Sequence, residues 1–349
     1  MIVNYPRMRR RAAWPDDLDT ALEFSSANPF SISAPKNWDG KLEYTNGSGW
    51  KTWDGGEITS GSIENKNAIY FRGVGNTKVT GVADTSGKWV ITGQNVSCNG
   101  NIERLLNWEI VESGKHPEMA DSCYGSMFRN CSKLTTAPSL PATTLAPRCY
   151  TSMFYGCSSL TTVPSLPATT LADSCYGSMF RNCSKLTTAP SLPATTLASS
   201  CYTSMFYGCS SLTTVPSLPA TTLTPNCYGS MFRNCSKLTT APSLPATTLA
   251  SSCYAFMFYG CSSLTTVPSL PATTLTPNCY FNMFRICSSI KVSTTASGTY
   301  EKAYRIPRAG TGITASRALD YMFGATQGTF TGTPEINTTY YLDKSNTIV

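Results

Sequence analysis

The sequence predicts an α/β solenoid of 26-residue coils, each a short parallel strand plus a short helix, preceded by a small all-β sandwich-like domain. Two cysteine series and an alternating leader predict it. One series stands at Cys123, Cys149, Cys175, Cys201, Cys227, Cys253 and Cys279, a fixed step of 26 residues. The other rides eight positions behind, at Cys131, Cys157, Cys183, Cys209, Cys235, Cys261 and Cys287. Ahead of the array, apolar and polar residues alternate between Asn-Gly and Asp-Gly turns. A unit of this length cannot bury its apolar side alone, so a constant period means coils stacked on one another.

Five segments follow in order. Residues 1–20 are a basic-then-acidic arm, with Arg7, Arg9, Arg10 and Arg11 ahead of Asp16, Asp17 and Asp19. That composition suits an unfolded terminus or an anchor for an acidic partner. In residues 21–97, Leu22-Glu-Phe-Ser, Phe30-Ser-Ile-Ser, Lys41-Leu-Glu-Tyr44, Ala68-Ile-Tyr-Phe-Arg72 and Trp89-Val-Ile-Thr92 read as strands. Trp38, Trp50 and Trp53 either pack inside this body or form a platform for sugars. Residues 98–122 read as a hinge and cap, with Ile102, Leu105, Leu106 and Trp108 on one helical side to cover the first coil's open end. Residues 123–287 hold seven units, the last degenerate. Residues 288–349 hold a degenerate repeat and a closing cap, in which Met322-Phe323 follows Met283-Phe284 by 39 residues, an insertion of thirteen.

Within a unit, Leu171, Cys175, Met179 and Cys183 recur every fourth residue, which predicts a one-sided helix. Asp173, Ser199, Ser251, Thr224-Pro225 and Thr276-Pro277 supply caps and first turns. Ser184-Lys-Leu-Thr-Thr-Ala189, closed by Pro190, predicts a strand that pairs with its copies in a parallel sheet. Seven such strands stack to roughly 30 Å. Leu160, Val163 and Leu166 point inward, and only one residue of each Thr-Thr pair, such as Thr161-Thr162, faces out, which argues against an ice-binding lattice.

Composition narrows the chemistry. Only 13% of the 349 residues are charged, and the net charge is +7, so no nucleic-acid partner is expected. No stretch approaches the roughly 18 apolar residues of a membrane span. Fourteen of the fifteen cysteines share the repeat phase, so buried ladders of thiols are expected, with disulfides between rungs open on distance alone. Their spacing lacks the close ligand pairs of zinc sites, and His116 is the single histidine, so no metal or other cofactor is expected. No nucleophile or phosphate-binding motif stands out. Asp39, Asp54, Glu57 and Glu64 are candidate acids only by default, so the chain is not expected to be an enzyme.

A second period of 52 residues runs through the array. One slot carries Arg129, Tyr155, Arg181, Tyr207, Arg233 and Tyr259, ending in Arg285. Arginine on every coil would repel its copies; alternation doubles the gap and places an aromatic ring between charges. The slot is then a self-satisfied cation–π ladder, a binding stripe for acidic glycans or a partner's surface, or the trace of a duplicated two-coil unit without selection on this slot.

Units of the form Met153-Phe-Tyr-Gly-Cys-Ser-Ser-Leu-Thr-Thr-Val-Pro164, followed by Leu166-Pro-Ala-Thr-Thr-Leu171, resemble the BspA-type leucine-rich repeats of bacterial and phage surface proteins. The array is similar to those of gut Bacteroidales and their phages, over roughly residues 98–334. The resemblance implies a leucine-rich-repeat solenoid with adhesion or host-surface recognition, and it brings no catalytic residues. Exported relatives carry a leader that is not evident here. The expectation is therefore a virion protein assembled in the cytoplasm, attached to other virion proteins through its N-terminal region. The solenoid is displayed toward a host glycan or protein, with a homo-oligomer possible. The alternative is a bacterial cell-surface adhesin or interaction scaffold.

Overall fold

In the computed structural model, which describes residues 18–81 and 84–349, the peptide units of the array set the architecture. In each coil a ribbon of turns carries left-handed residues four apart. In the third coil these are Ser174, Ser178 and Asn182, with φ of 55°, 55° and 61°. A right-handed helix cannot include them, because the left-handed conformation sends the next turn off the helical axis. N–H groups then alternate in direction. Those of Cys149, Thr151, Met153, Tyr155 and Cys157 bond three residues back, within the turns. Those of Arg148, Tyr150, Ser152, Phe154 and Gly156 reach carbonyls of the next coil, at Asp173, Cys175, Gly177, Met179 and Arg181.

The helix expected over 171–183 is therefore corrected to a turn ribbon. Its stripe recurs every four residues without drift, whereas a helix of 3.6 residues per turn would rotate Cys183 well away from Leu171. Four is the period of the turns themselves. The strand expected over 184–189 is corrected too. Among the described residues of the array, strand geometry is limited to β10 (Leu134–Thr136) and β11 (Thr266–Val267). Elsewhere single bonds join alternate coil pairs, such as Thr213 N–H to the Thr187 carbonyl at 3.0 Å. Without strand alternation, both members of Thr161-Thr162, Thr187-Thr188 and Thr213-Thr214 are exposed, not one.

Side chains pointing into the stack form continuous columns. Tyr124, Tyr150, Tyr176, Tyr202, Tyr228, Tyr254 and Tyr280 lie face to face, neighbouring rings 5.6–5.9 Å apart. A phenylalanine column runs beside them from Phe128 to Phe323, with rings 5.5–5.8 Å apart. Phe284 N–H reaches the Met322 carbonyl, so the segment 39 residues on is an eighth coil stacked on the seventh.

The leading region has β1 (Leu22–Ser26), β2 (Ser31–Ser33), β3 (Lys41–Thr45), β4 (Lys51–Thr52), β5 (Ile58–Thr59), β6 (Gly61–Ile63), β7 (Lys66–Val74), β8 (Val90–Ile91) and β9 (Val96–Asn99). One sheet runs β10-β9-β1-β7-β3-β4, with β6 beside β7; a second runs β5-β2-β8. β9 pairs antiparallel with β1 and parallel with β10, so the first sheet continues into the first coil. Phe24, Phe71, Trp53 and Trp89 pack around one centre and meet Phe128 of the array.

Each end of a stack with this polarity needs its own cap. The carbonyls of Cys123, Gly125 and Met127 face the leading region, where Val79 N–H, Thr80 N–H, the Thr80 hydroxyl and Trp89 N–H meet them at 2.7–3.0 Å. Residues 79–89 thus supply the donors to these carbonyls, while in 98–122 the Ile102 carbonyl accepts from the Tyr124 hydroxyl and the Ile102 N–H reaches the Ser139 carbonyl. The helix α1 (Arg104–Glu112), broken at Asn107, packs on β7, with Leu105 and Leu106 buried. At the other end β12 (Lys291–Ser293), β13 (Tyr300–Arg305), β14 (Gln327–Gly328) and β15 (Thr339–Asp343) form a sheet in the order β13-β15-β12-β14. β16 (Thr347–Ile348) runs parallel to β11. Buried Asn346 joins these pieces, its side chain bonding Thr265, Ser289 and Lys291.

The hydroxyls of Tyr150, Tyr202 and Tyr280 are buried with no hydrogen-bond partner among the described residues, and nothing in the structure explains their presence. Removing a buried, unsatisfied hydroxyl recovers its desolvation cost. Tyr202→Phe is expected to raise stability by about 1 kcal/mol in urea titrations; a loss of that size would mean that the hydroxyl has a partner.

Candidate binding surface

Along the outer slot, each arginine lies on a ring. Arg129 sits 4.0 Å from the Tyr155 centroid, Arg181 4.0 Å from Tyr207, and Arg233 4.3 Å from Tyr259. Arg181 also lies 5.5 Å from Tyr155, and Arg233 5.3 Å from Tyr207, so these two guanidinium groups have rings on both sides. All six side chains are half-buried. The column bends at its end: Arg285 faces Tyr321, three residues before the equivalent slot at Gly324, at 5.5 Å.

A steric rule reinforces the alternation. The residue after each of the first three arginines is asparagine (Asn130, Asn182, Asn234), and after each tyrosine glycine (Gly156, Gly208, Gly260). A β-carbon on Gly208 would come within 2.2 Å of the Asn182 side-chain oxygen. The asparagine of one coil thus occupies the side-chain space of the next, and the 52-residue period follows from packing as well as from charge.

The arginines keep unused capacity. The Nε atoms of Arg129, Arg181 and Arg233 are buried without an acceptor among the described residues. Among the described residues no carboxylate lies within ion-pair distance of these three side chains. Arg148, on a different slot, pairs with Asp121 across coils. The stripe therefore carries charge that is softened by aromatic faces and, among the described residues, not paired with a carboxylate.

Both cysteine series are buried free thiols, as is Cys98. The second series has a defined role. Cys157, Cys183, Cys209, Cys235, Cys261 and Cys287 each donate through Sγ to a phenylalanine carbonyl of the preceding coil at 3.0–3.1 Å. Each of those carbonyls also accepts an N–H three residues on, as Phe154 does from Cys157. A small apolar side chain with a weak donor fits this place. The first series, Cys123 to Cys279, lies buried beside the tyrosine column.

Other candidates resolve differently. Arg7, Arg9, Arg10 and Arg11 lie outside the described residues. Trp38 and Trp53 are buried and stacked at 5.2 Å, while Trp50 lies under Arg72, so they form no exposed platform. Asp39 accepts from Thr77 and Lys78, Asp54 from Gly56, and Glu57 from Ser31, which ties these carboxylates to local turns and strands. His116 Nδ1 meets both oxygens of Glu103 at 2.9 Å. Burial holds the Glu103 carboxyl above its ordinary range, opposed by that histidine and by Asn101. Sequence reasoning missed the aromatic side chains near the end of the ribbon, Phe256, Phe281 and Tyr321, which contact Arg233, Arg317 and Arg285. Comparing each coil with its neighbours slot by slot would have found them.

A family model described as BspA type leucine rich repeat region matches residues 111–239 and 203–307, with six copies. No curated protein and no solved structure matches the chain.

Burial raises the thiols, to about 12 for Cys209 and Cys261 and about 11 for Cys227. A thiol with a higher pKa folded than unfolded stabilises the fold fully below the unfolded value near 9, and that stabilisation is lost as pH rises. Above that pH each exposed thiol favours the unfolded chain by about 1.4 kcal/mol per unit. With fourteen ladder thiols, this exceeds a typical stability of roughly 5–15 kcal/mol within about one to two units. Cooperative unfolding is expected between about pH 9 and 11 by circular dichroism, with no alkylation of native thiols at pH 8. Rapid native alkylation would contradict the buried ladders.

Proposed function

The chain belongs to the BspA-type leucine-rich repeat family, and from that premise we propose that it is a non-enzymatic binding scaffold whose stacked coils form a solenoid. The family is one of surface and protein-interaction repeat proteins. The stripe of Arg129, Tyr155, Arg181, Tyr207, Arg233, Tyr259 and Arg285 is the binding face of this proposal. One observation carries it: half-buried arginines spaced two coils apart, held by rings, with no carboxylate paired to them among the described residues. The geometry also satisfies the ladder reading, since a guanidinium between tyrosines is both packed and presentable. A row of fixed cations suits a repeating anionic surface, such as an acidic host glycan or an acidic protein face, bound through many weak contacts.

Where the scaffold is displayed forms a finer part of the proposal. The virion reading is supported by the phage arrays that the repeats resemble and by the basic arm at Arg7–Arg11, which would dock on other virion proteins. Detection of the protein in purified virions supports that reading; its recovery solely in bacterial envelope fractions overturns it in favour of an adhesin.

The stripe is tested by Arg129→Gln/Arg181→Gln in the full chain, with polygalacturonate as the acidic glycan and an acidic protein surface as a second probe. Binding to at least one probe is expected to fall at least tenfold and to weaken with salt, with the native circular dichroism retained and the melting temperature lowered only by the lost cation–π contacts. Equal binding by both proteins at low salt would remove the stripe from the account.

A further inference from the structure

The array is nearly uniform until its last coils, where slots outside the aromatic, methionine and cysteine columns change and the columns do not. The sixth and seventh coils keep Cys253, Tyr254, Met257, Phe258 and Cys261, then Cys279, Tyr280, Met283, Phe284 and Cys287, all fully or almost fully buried. Packing against neighbours thus demands nothing new of them. Yet Phe256 stands where the first five coils all carry serine, from Ser126 to Ser230. Phe281 stands where they carry glycine or threonine. Ile286 stands where the six coils before it alternate asparagine and glycine.

Two of these residues occupy costly places. Phe256 and Ile286 are left-handed, with φ of 57° and 63°, and Tyr321 in the eighth coil has φ of 55°. Asparagine and glycine tolerate that conformation; a β-branched isoleucine is a true outlier there. Ile286 is 42% exposed and Tyr321 53%, so burial does not compensate for the strain. The rings of Phe256 and Phe281 meet edge to face at 5.1 Å, which leaves no flat platform of the kind a sugar ring stacks on. Three arginines border the patch: Arg233 lies 5.2 Å from Phe256, Arg317 4.5 Å from Phe281 and Arg285 5.5 Å from Tyr321. One acid, Asp320, pairs with Arg317 at 3.5 Å.

We propose that Phe256, Phe281, Ile286 and Tyr321 form a docking surface for a protein segment that presents an apolar side chain flanked by carboxylates. The composition, exposed Ile286 and Tyr321 beside half-buried Phe256 and Phe281, ringed by arginine, is that of a protein hot spot. Charge complementarity selects an acidic partner, and the backbone adds to it. Five peptide units per coil align with the stack, N–H groups toward the last coil, so the positive end of their summed dipole lies beside the patch. The same charge opposes a second copy of this chain, which would bring like arginines together. The site rests on the reading of the chain as a binding scaffold, but it is separate from the Arg129–Tyr207 part of the stripe.

The test returns the surface to the repeat's own residues, Phe256→Ser/Phe281→Gly/Ile286→Gly, with glycine in the last position because the next coil carries Ala325 in that slot and an asparagine would meet its β-carbon. This variant is expected to melt at or above the wild-type temperature, because the earlier coils carry those residues in the same conformations. Displayed random peptides are selected on the full chain, with the triple variant as counter-target. Enriched peptides are expected to hold Asp or Glu on both sides of an apolar residue and to bind the triple variant at least tenfold more weakly, while Arg129→Gln/Arg181→Gln keeps full affinity. Absence of such peptides, or equal binding by the triple variant, overturns the proposal. So does retention of polygalacturonate by the wild type and not by the triple variant, which would make the occupant a glycan. A wild-type dimer that the triple variant abolishes would make it a second copy. Loss confined to the Arg129/Arg181 variant sinks this surface and leaves the stripe standing.

Discussion

Hydrogen bonding between coils governs everything else in this chain. Each ribbon aims alternate N–H groups at the next coil and the carbonyls of the same peptide units at the previous one. A β-strand presents donors and acceptors on both edges, whereas this ribbon presents donors on one side and acceptors on the other. The stack is therefore directional, and a coil can be added only in one orientation. The left-handed residues four apart make this possible, and their strain is offset by five bonds to each neighbour.

The side chains obey the geometry that those bonds impose. With coils held in register, identical residues must stack, so planar rings suit the tyrosine and phenylalanine slots. The second cysteine fits a slot beside a carbonyl with a lone pair to spare. Where identical residues would repel or collide, the sequence alternates: arginine with tyrosine, asparagine with glycine. The same rule explains the capping. Carbonyls on the first coil require donors, and residues 79–89 supply them. N–H groups of the last coil require acceptors, and Gly332 and Thr333 meet those of Phe323 and Tyr321.

Much of this was legible in the sequence and some was not. Periodicity identified the repeat, the cysteine slots, the Arg/Tyr alternation and the eighth coil at Met322-Phe323. The strands at Leu22, Lys41 and Ala68 followed from simple alternation. The ribbon was misread as a helix because a spacing of four suits both, and the telling detail was its lack of drift. Ser178 and Asn182 are not residues that announce a left-handed backbone as glycine does. The continuous sheet failed because Thr187-Thr188 favours extension without ensuring neighbours on both sides. The apolar stripe at Ile102, Leu105 and Leu106 was legible and is buried with the first coil, but nothing in the sequence marks Val79 and Thr80 as donors to Cys123.

The directional bond between coils is most directly tested where the sequence is unique, at Tyr280. Scalar coupling across its hydrogen bond, measured by NMR on deuterated full-length protein, is expected to link the Tyr280 amide nitrogen to the carbonyl carbon of Ala318. Coupling to Thr276, the partner a helix would give it, would contradict the ribbon and the stack built on it.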